Sequence, residues 1–136
     1  MEFTTKIAVV VRDDLAPWQK LNVTAFLAGG LAGQSPELPG EAYRDGSGQV
    51  YGPLIRQPIL VFAASGDELA RTLSRALGRG LRPSIYTREL FATSNDTDNR
   101  AAVATVTTDR LDLVGLALHA ERKELDKVVK GLQLHG

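Results

Sequence analysis

The stretch Lys6-Ile7-Ala8-Val9-Val10-Val11-Arg12-Asp13-Asp14-Leu15-Ala16-Pro17 decides the fold class of this chain. Ile7 to Val11 is an unbroken, largely β-branched apolar run fenced by charge, which suits a strand covered on both faces better than a half-exposed one. Such a strand belongs at the centre of a sheet. Pro17 then marks a helix start, because the first helical position needs no N–H. Leu21, Ala25, Ala28 and Leu31, with Val23, Phe26 and Leu27 beside them, keep a helical spacing, and the glycines from Gly29 to Gly33 predict its end.

Working outward, Ile59 to Ala64 is a second buried strand, and Ser65-Gly66-Asp67-Glu68 after it is a capping box, serine and glutamate each satisfying the other's backbone N–H. A helix from about Asp67 to Leu77 follows, with Leu69, Ala70, Leu73, Ala76 and Leu77 repeating at three and four residues. The same unit recurs near the C-terminus: Leu113 to Leu118 as strand, Glu121 to Leu132 as amphipathic helix. Between them Ser84 to Thr87 reads as a short strand, and Arg88 to Thr93 and Asn99 to Val106 as brief helical pieces. Gln34 to Gly48 is crowded with turn formers and has no period, so it is expected to be a long surface loop, of a length usually reserved for covering a site. Strands alternating with helices predict a three-layer α/β fold: a mixed, mostly parallel sheet of about four strands with helices on both faces. At 136 residues the chain is expected to form a single domain, 1–136.

Composition narrows the chemistry. Sixteen basic residues balance sixteen acidic ones, so no whole-molecule field draws in nucleic acid or an anionic membrane, and any such binding must be local. Cysteine is absent, which excludes a disulfide framework, a thiolate metal site and a cysteine nucleophile, and makes a reducing, cytoplasmic setting the natural one. The N-terminal apolar run is too short for a signal peptide, and Leu21 to Pro36 falls short of a membrane span. No phosphate-cradling glycine loop, zinc-protease motif or calcium loop occurs, and neither a metal nor a cofactor is expected.

Three regions could carry function. The first strand-to-helix junction sets Asp13, Asp14, Lys20, Asn22 and Thr24 near the carboxyl end of a central strand, where open α/β sheets bind ligands. Lys20, one turn into a helix whose dipole favours anions, could bind a phosphate or polarise a carbonyl; equally, Asp13 and Asp14 could cap the helix and leave Lys20 a surface charge. Trp18, the only tryptophan, is a hydrophobic staple or a stacking platform. Arg71, Arg75, Arg79 and Arg82 recur at helical spacing and could contact RNA phosphates, although no aromatic residues interleave with them to stack bases. In the polar run Thr93 to Arg100, Asp96 is a catalytic candidate only if the fold carries it to Lys20. Ser65 lacks the glycine a nucleophile elbow needs at Ala63, so it is read as a helix cap. His119 is read as a surface histidine before the last helix, and His135 as part of a frayed tail.

Lys6 to Leu15, followed by a lysine-bearing helix, resembles the opening of the archaeal and eukaryotic type (type II) of peptidyl-tRNA hydrolase, in which Val-Arg-x-Asp-Leu precedes a Gly-Lys-Gly-Lys helix. Leu113 to Leu118 and Glu124 to Leu134 resemble that family's last strand and helix. Pro17 to Leu27 is similar, more closely, to a bacterial family of uncharacterised domains sharing the same fold. The resemblance implies a peptidyl-tRNA hydrolase II-like fold and hydrolysis of the ester joining peptide to tRNA, with Lys20 at the position of the essential lysine. The chain departs from the enzymes at Thr24 and Leu27, where they carry glutamine and histidine, and their Asp-Ala-Gly-Arg-Thr segment has no clear counterpart here; Asp96 and Thr97, or Thr107 and Thr108, are loose substitutes. The expected function is therefore an ester hydrolase acting on peptidyl-tRNA or a related substrate. The alternative is a non-catalytic module binding a small anionic ligand or a protein partner through the same cleft. A homodimer is an expected assembly.

Overall fold

The computed structural model describes residues 2–136. Its centre is β1 (Thr5–Arg12), whose residues Ile7 to Val11 are almost completely buried, as their composition requires. On one side β1 pairs in parallel with β4 (Ile59–Ala64), and on the other antiparallel with β6 (Leu113–Glu121). The sheet is extended by β5 (Ser84–Thr87), antiparallel to β6, and by β7 (Gln133–Leu134), antiparallel to β4, giving the order β5-β6-β1-β4-β7.

This corrects the expected sheet of about four mostly parallel strands: five strands pair, and β1–β4 is the parallel junction among them. The reason lies in the connections. The excursion between β5 and β6 holds a 3-10 turn (Arg88–Ala92), helix α3 (Asp96–Ala104) and a second 3-10 turn (Thr108–Arg110), and it closes on itself, with the Arg88 N–H donating to the Asp112 carbonyl at 2.9 Å. A chain that returns to the same end of the sheet must run back antiparallel.

Helices cover both faces. Helix α1 (Pro17–Gln34) packs Val23, Leu27 and Leu31 on Ile7, Val9, Val11 and Val114. On the opposite face α2 (Gly66–Gly78) and α4 (Arg122–Val128) bury Leu69, Leu73, Leu125 and Val128 against Ala8, Val10, Leu116 and Leu118. Pro17 opens α1 as read, and the Ser65–Glu68 capping box opens α2. Helix α1 ends at Gln34, one residue past the last of the expected glycines, and runs through Gly29 and Gly30. Leu27 and Leu31 hold it to the sheet on either side of Gly29 and Gly30, and Gly30 allows close approach: a Cβ there would press Ser84 Oγ at 3.3 Å. The sheet makes a matching concession at Gly115 of β6, where a Cβ would collide with the Val23 and Leu27 side chains.

Three further expectations change. Asp13 and Asp14 do not cap α1; Ala16 holds that position, and its N–H donates to the Gln19 side chain at 3.0 Å. The last helix is shorter than the expected 121–132 because β6 continues to Glu121 and Gly131, at φ +90°, turns the chain into β7. The segment read as a loop from Gln34 to Gly48 carries half of a hairpin, β2 (Tyr43–Arg44) with β3 (Val50–Tyr51), on a stem closed by a Pro39–Ile55 bridge.

Candidate functional site

Successive residues of a helix are rotated by about 100°, so two positions two apart point about 200° from one another. Lys20 and Asn22 therefore sit on opposite flanks of α1, and the polar group expected around Asp14, Lys20, Asn22 and Thr24 is divided between separate places. Trp18, Asn22 and Phe26 face β5 and α3, whereas Lys20, Leu21 and Thr24 line a groove towards β4.

The first flank forms a cleft floored by aromatic rings. Tyr86 of β5, Phe91 of the 3-10 turn, Phe26 and Trp18 form a chain of edge and tilted contacts with centroid separations of 5.9 Å (Trp18–Phe91), 5.2 Å (Tyr86–Phe91) and 5.9 Å (Phe26–Tyr86). These lie in the range where aromatic quadrupoles attract. Tyr86 is buried, and desolvation pushes its phenol above the ordinary value, so its hydroxyl stays neutral. Asn22, Thr93, Ser94, Asn95, Asp96 and Asn99 make the rim. Asn95 caps α3 by accepting the Asp98 N–H at 2.9 Å, the Thr93 hydroxyl donates to the Asn99 side chain, and Asp96 is paired with Arg100. The cleft has two lobes, of about 310 and 530 Å³, sharing Phe26, Tyr86, Leu90, Asp96 and Asn99.

On the other flank the Lys20 ammonium lies 3.1 Å from His135 Nε2. With His135 Nδ1 donating to the Gly136 carbonyl oxygen at 2.8 Å, Nε2 presents its lone pair to the lysine. The tail is not frayed as expected: the His135 N–H donates to the Val61 carbonyl at 2.9 Å, continuing the β7 pairing. The groove beneath, about 540 Å³, is lined by Val11, Pro17, Leu21, Thr24, Ala25 and Val61, and its lining carries no carboxylate. Asp96 is absent from it and belongs to the aromatic cleft instead.

A family model described as a protein of unknown function, DUF2000, matches residues 5–136, so both flanks of α1 lie inside the matched region. The chain belongs to the DUF2000 family. A solved structure of a protein of unknown function, Atu0240 from Agrobacterium tumefaciens strain C58, is 50% identical to it, with a TM-score of 0.96 over 99% of this chain and 100% of that one. No curated protein matches the chain.

The remaining sequence candidates fall elsewhere in the DUF2000 fold. Asp14 lies 3.4 Å from Arg12, whose guanidinium also reaches Asp112 and the Leu113 carbonyl at the end of the sheet from which α1 and α2 depart. Arg71 and Arg75 are on α2, across the sheet from Lys20. Arg75 donates to the Lys130 carbonyl at 2.8 Å and Arg79 pairs with Glu124, so half of the basic ridge ties α2 to the α4 end of the chain. Arg71 borders a separate hollow with Thr107, Thr108 and Asp109. His119 is not a surface residue: it lies inside β6 with its side chain 11% exposed, Nε2 2.8 Å from the Thr5 hydroxyl. Among the described residues no group of three or more histidines and carboxylates is placed to hold a metal ion, and no helix is long and apolar enough to cross a membrane.

Sequence reasoning missed Tyr86 and Phe91, and it offered Thr93 and Asn99 only as members of the polar run around Asp96. One signal was available: half of this chain's eight aromatic residues stand in two short segments, 18–26 and 86–91. Their meeting depends on β5 lying beneath α1, which no local pattern encodes.

Proposed function

We propose that this DUF2000 protein is a non-catalytic binding module that takes a small ligand with a flat, apolar body between α1 and α3. The observation that carries this reading is the aromatic floor of Trp18, Phe26, Tyr86 and Phe91 beneath a rim of amides and hydroxyls. A few polar groups at the edge of an apolar concavity are what orient a bound small molecule. Asp96 is matched by Arg100, and Asn22 and Asn99 are neutral, so the ligand's polar part is an amide or hydroxyl rather than the free anion first expected. The test is a titration with benzamide followed by the fluorescence of Trp18. Saturable change that weakens at least tenfold in Phe91→Ala, and is retained in Leu21→Lys on the outer surface, supports the cleft. A linear response, or one indifferent to Phe91, overturns it.

A second reading is favoured by the contact between Lys20 and His135. The resemblance to type II peptidyl-tRNA hydrolases implies a shared fold and an ester hydrolase in which Lys20 orients the scissile carbonyl or a water, with Thr24, where those enzymes carry glutamine, in the same groove. Peptidyl-tRNA turnover that disappears in Lys20→Ala would establish it, and the absence of turnover in the unmodified protein would end it. Contact of Arg71 and Arg75 with tRNA belongs to this second reading, as does the cytoplasm, where that substrate is found.

A further inference from the structure

Two apolar surfaces remain largely uncovered among the described residues, and both lie on the α1 side of the sheet. The first is the outer face of α1. Trp18 and Phe26 are each 61% exposed and Leu21 73%, with Ala25 and Gly29 completing the surface between them. Lys20 is the only charged residue in the 18 of the helix. The second is the β2–β3 arm. Every residue from Glu41 to Leu54 is exposed, including Tyr43, Val50, Tyr51 and Leu54. Its side-chain hydrogen bonds stay within it: the Asp45 carboxylate accepts from the Ser47 and Gln49 N–H groups and from the Tyr51 hydroxyl, and Arg44 donates to the Gly48 carbonyl. An isolated two-stranded hairpin is marginal in water. The arm leaves on the α1 side because Leu38, at its base, is buried in the core beneath that helix and Ile55 packs against the same core.

We infer that these surfaces cover one another in a two-fold homodimer, the arm of each protomer lying across the outer face of α1 of the other. A two-fold axis lets a single chain use the same pair of patches twice and closes the assembly. Reach suffices, since six or seven extended residues span about 20 Å, twice the width of a helix. So does area: the exposed parts of Trp18, Leu21, Phe26, Tyr43, Val50, Tyr51 and Leu54 amount to roughly 800 Å² per protomer, the scale each partner gives to a standard-size interface. Charge agrees, because α1 holds one charged residue and the arm three, of which Arg44 and Asp45 are bonded within the arm, so that Gly46 to Ile55 is free of charge, and depletion of charge marks the core of an interface. Trp18 and Phe26 belong also to the proposed ligand cleft, so the variants that test the dimer are placed at Leu21 and Val50, which do not line it.

The experiment begins with the mass of the unmodified protein in solution by light scattering at tens of micromolar, with twice the 14.7 kDa chain expected. Leu21→Lys and Val50→Lys should each shift it to a monomer, with far-ultraviolet circular dichroism unchanged to show that the fold persists. Because the chain has no cysteine, contact can be read directly: a mixture of Leu21→Cys and Val50→Cys chains should form a disulfide-linked heterodimer faster than either chain links to itself. A monomeric unmodified protein overturns the inference. So does a dimer that survives both lysine substitutions, or one whose mixed cysteines do not pair preferentially.

Discussion

Helices α1 and α2 lie on opposite faces of one sheet and each buries one stripe, but their outer surfaces are built on different terms. In α2 the inner stripe of Leu69, Thr72, Leu73 and Ala76 is backed by Asp67 and Glu68 in the first turn and by Arg71, Arg75 and the following Arg79 further along, the charge order that complements a helix dipole. In α1 the inner stripe of Val23, Leu27 and Leu31 is backed by Trp18, Leu21, Ala25, Phe26 and glycine. A helix apolar on both sides is one that expects cover on both sides. The comparison teaches that the inner stripes set the fold, while the outer surfaces record what each helix faces.

The largest test of that division compares the inner stripes. Leu31→Ala and Leu69→Ala both truncate fully buried side chains, and each should cost about 2–5 kcal/mol in urea unfolding. A cost below about 1 kcal/mol for Leu31→Ala alone would remove α1 from the cooperative core. Next comes Gly115→Ala, which strikes only the α1 side through Val23 and Leu27 and should cost about 1–3 kcal/mol. The helix starts differ less. Ser65→Ala removes a cap and should lose about 1 kcal/mol, whereas Ala16→Ser, at an extended N-cap with no side-chain bond, should gain up to about 1 kcal/mol.

The smallest effect belongs to the arm. The Tyr51 hydroxyl, followed by the Gln49 and Ser47 N–H groups, holds the Asp45 carboxyl below its ordinary value. A depressed carboxylate contributes stability that is present above its unfolded pKa and is lost as pH falls through the folded one. The arm should therefore loosen only below about pH 4, seen as a loss of the protection of the Gln49 amide relative to its value at neutral pH. Loosening at neutral pH would show that Asp45 does not hold it.

Much of the frame was legible in the sequence because its signals are local: the apolar run of β1, Pro17 at a helix start, and Ser65 with Glu68 as a capping box each depend on residues within a turn. Strand direction was not legible, since it follows from where the excursion after Thr87 closes, at Asp112. Nor was the hairpin, whose strands are two residues each and sit among glycines. The candidate site was legible only as a list. Helical rotation alone separates Lys20 from Asn22, and that could have been read. That Asn22 meets Asp96 and Lys20 meets His135 depends on contacts across most of the chain.

Arg12 has a consequence beyond its ion pairs. Parallel neighbours whose helices depart to opposite faces leave a crevice at their ends, the customary seat of phosphates in such sheets. Here the guanidinium plugs it, lying so near the start of α2 that a Cβ on Gly66 would stand 3.0 Å from it. The scaffold thus comes with its anion socket corked by its own cation, and a designer who shortened residue 12 would begin from an opened seat rather than from a blank surface.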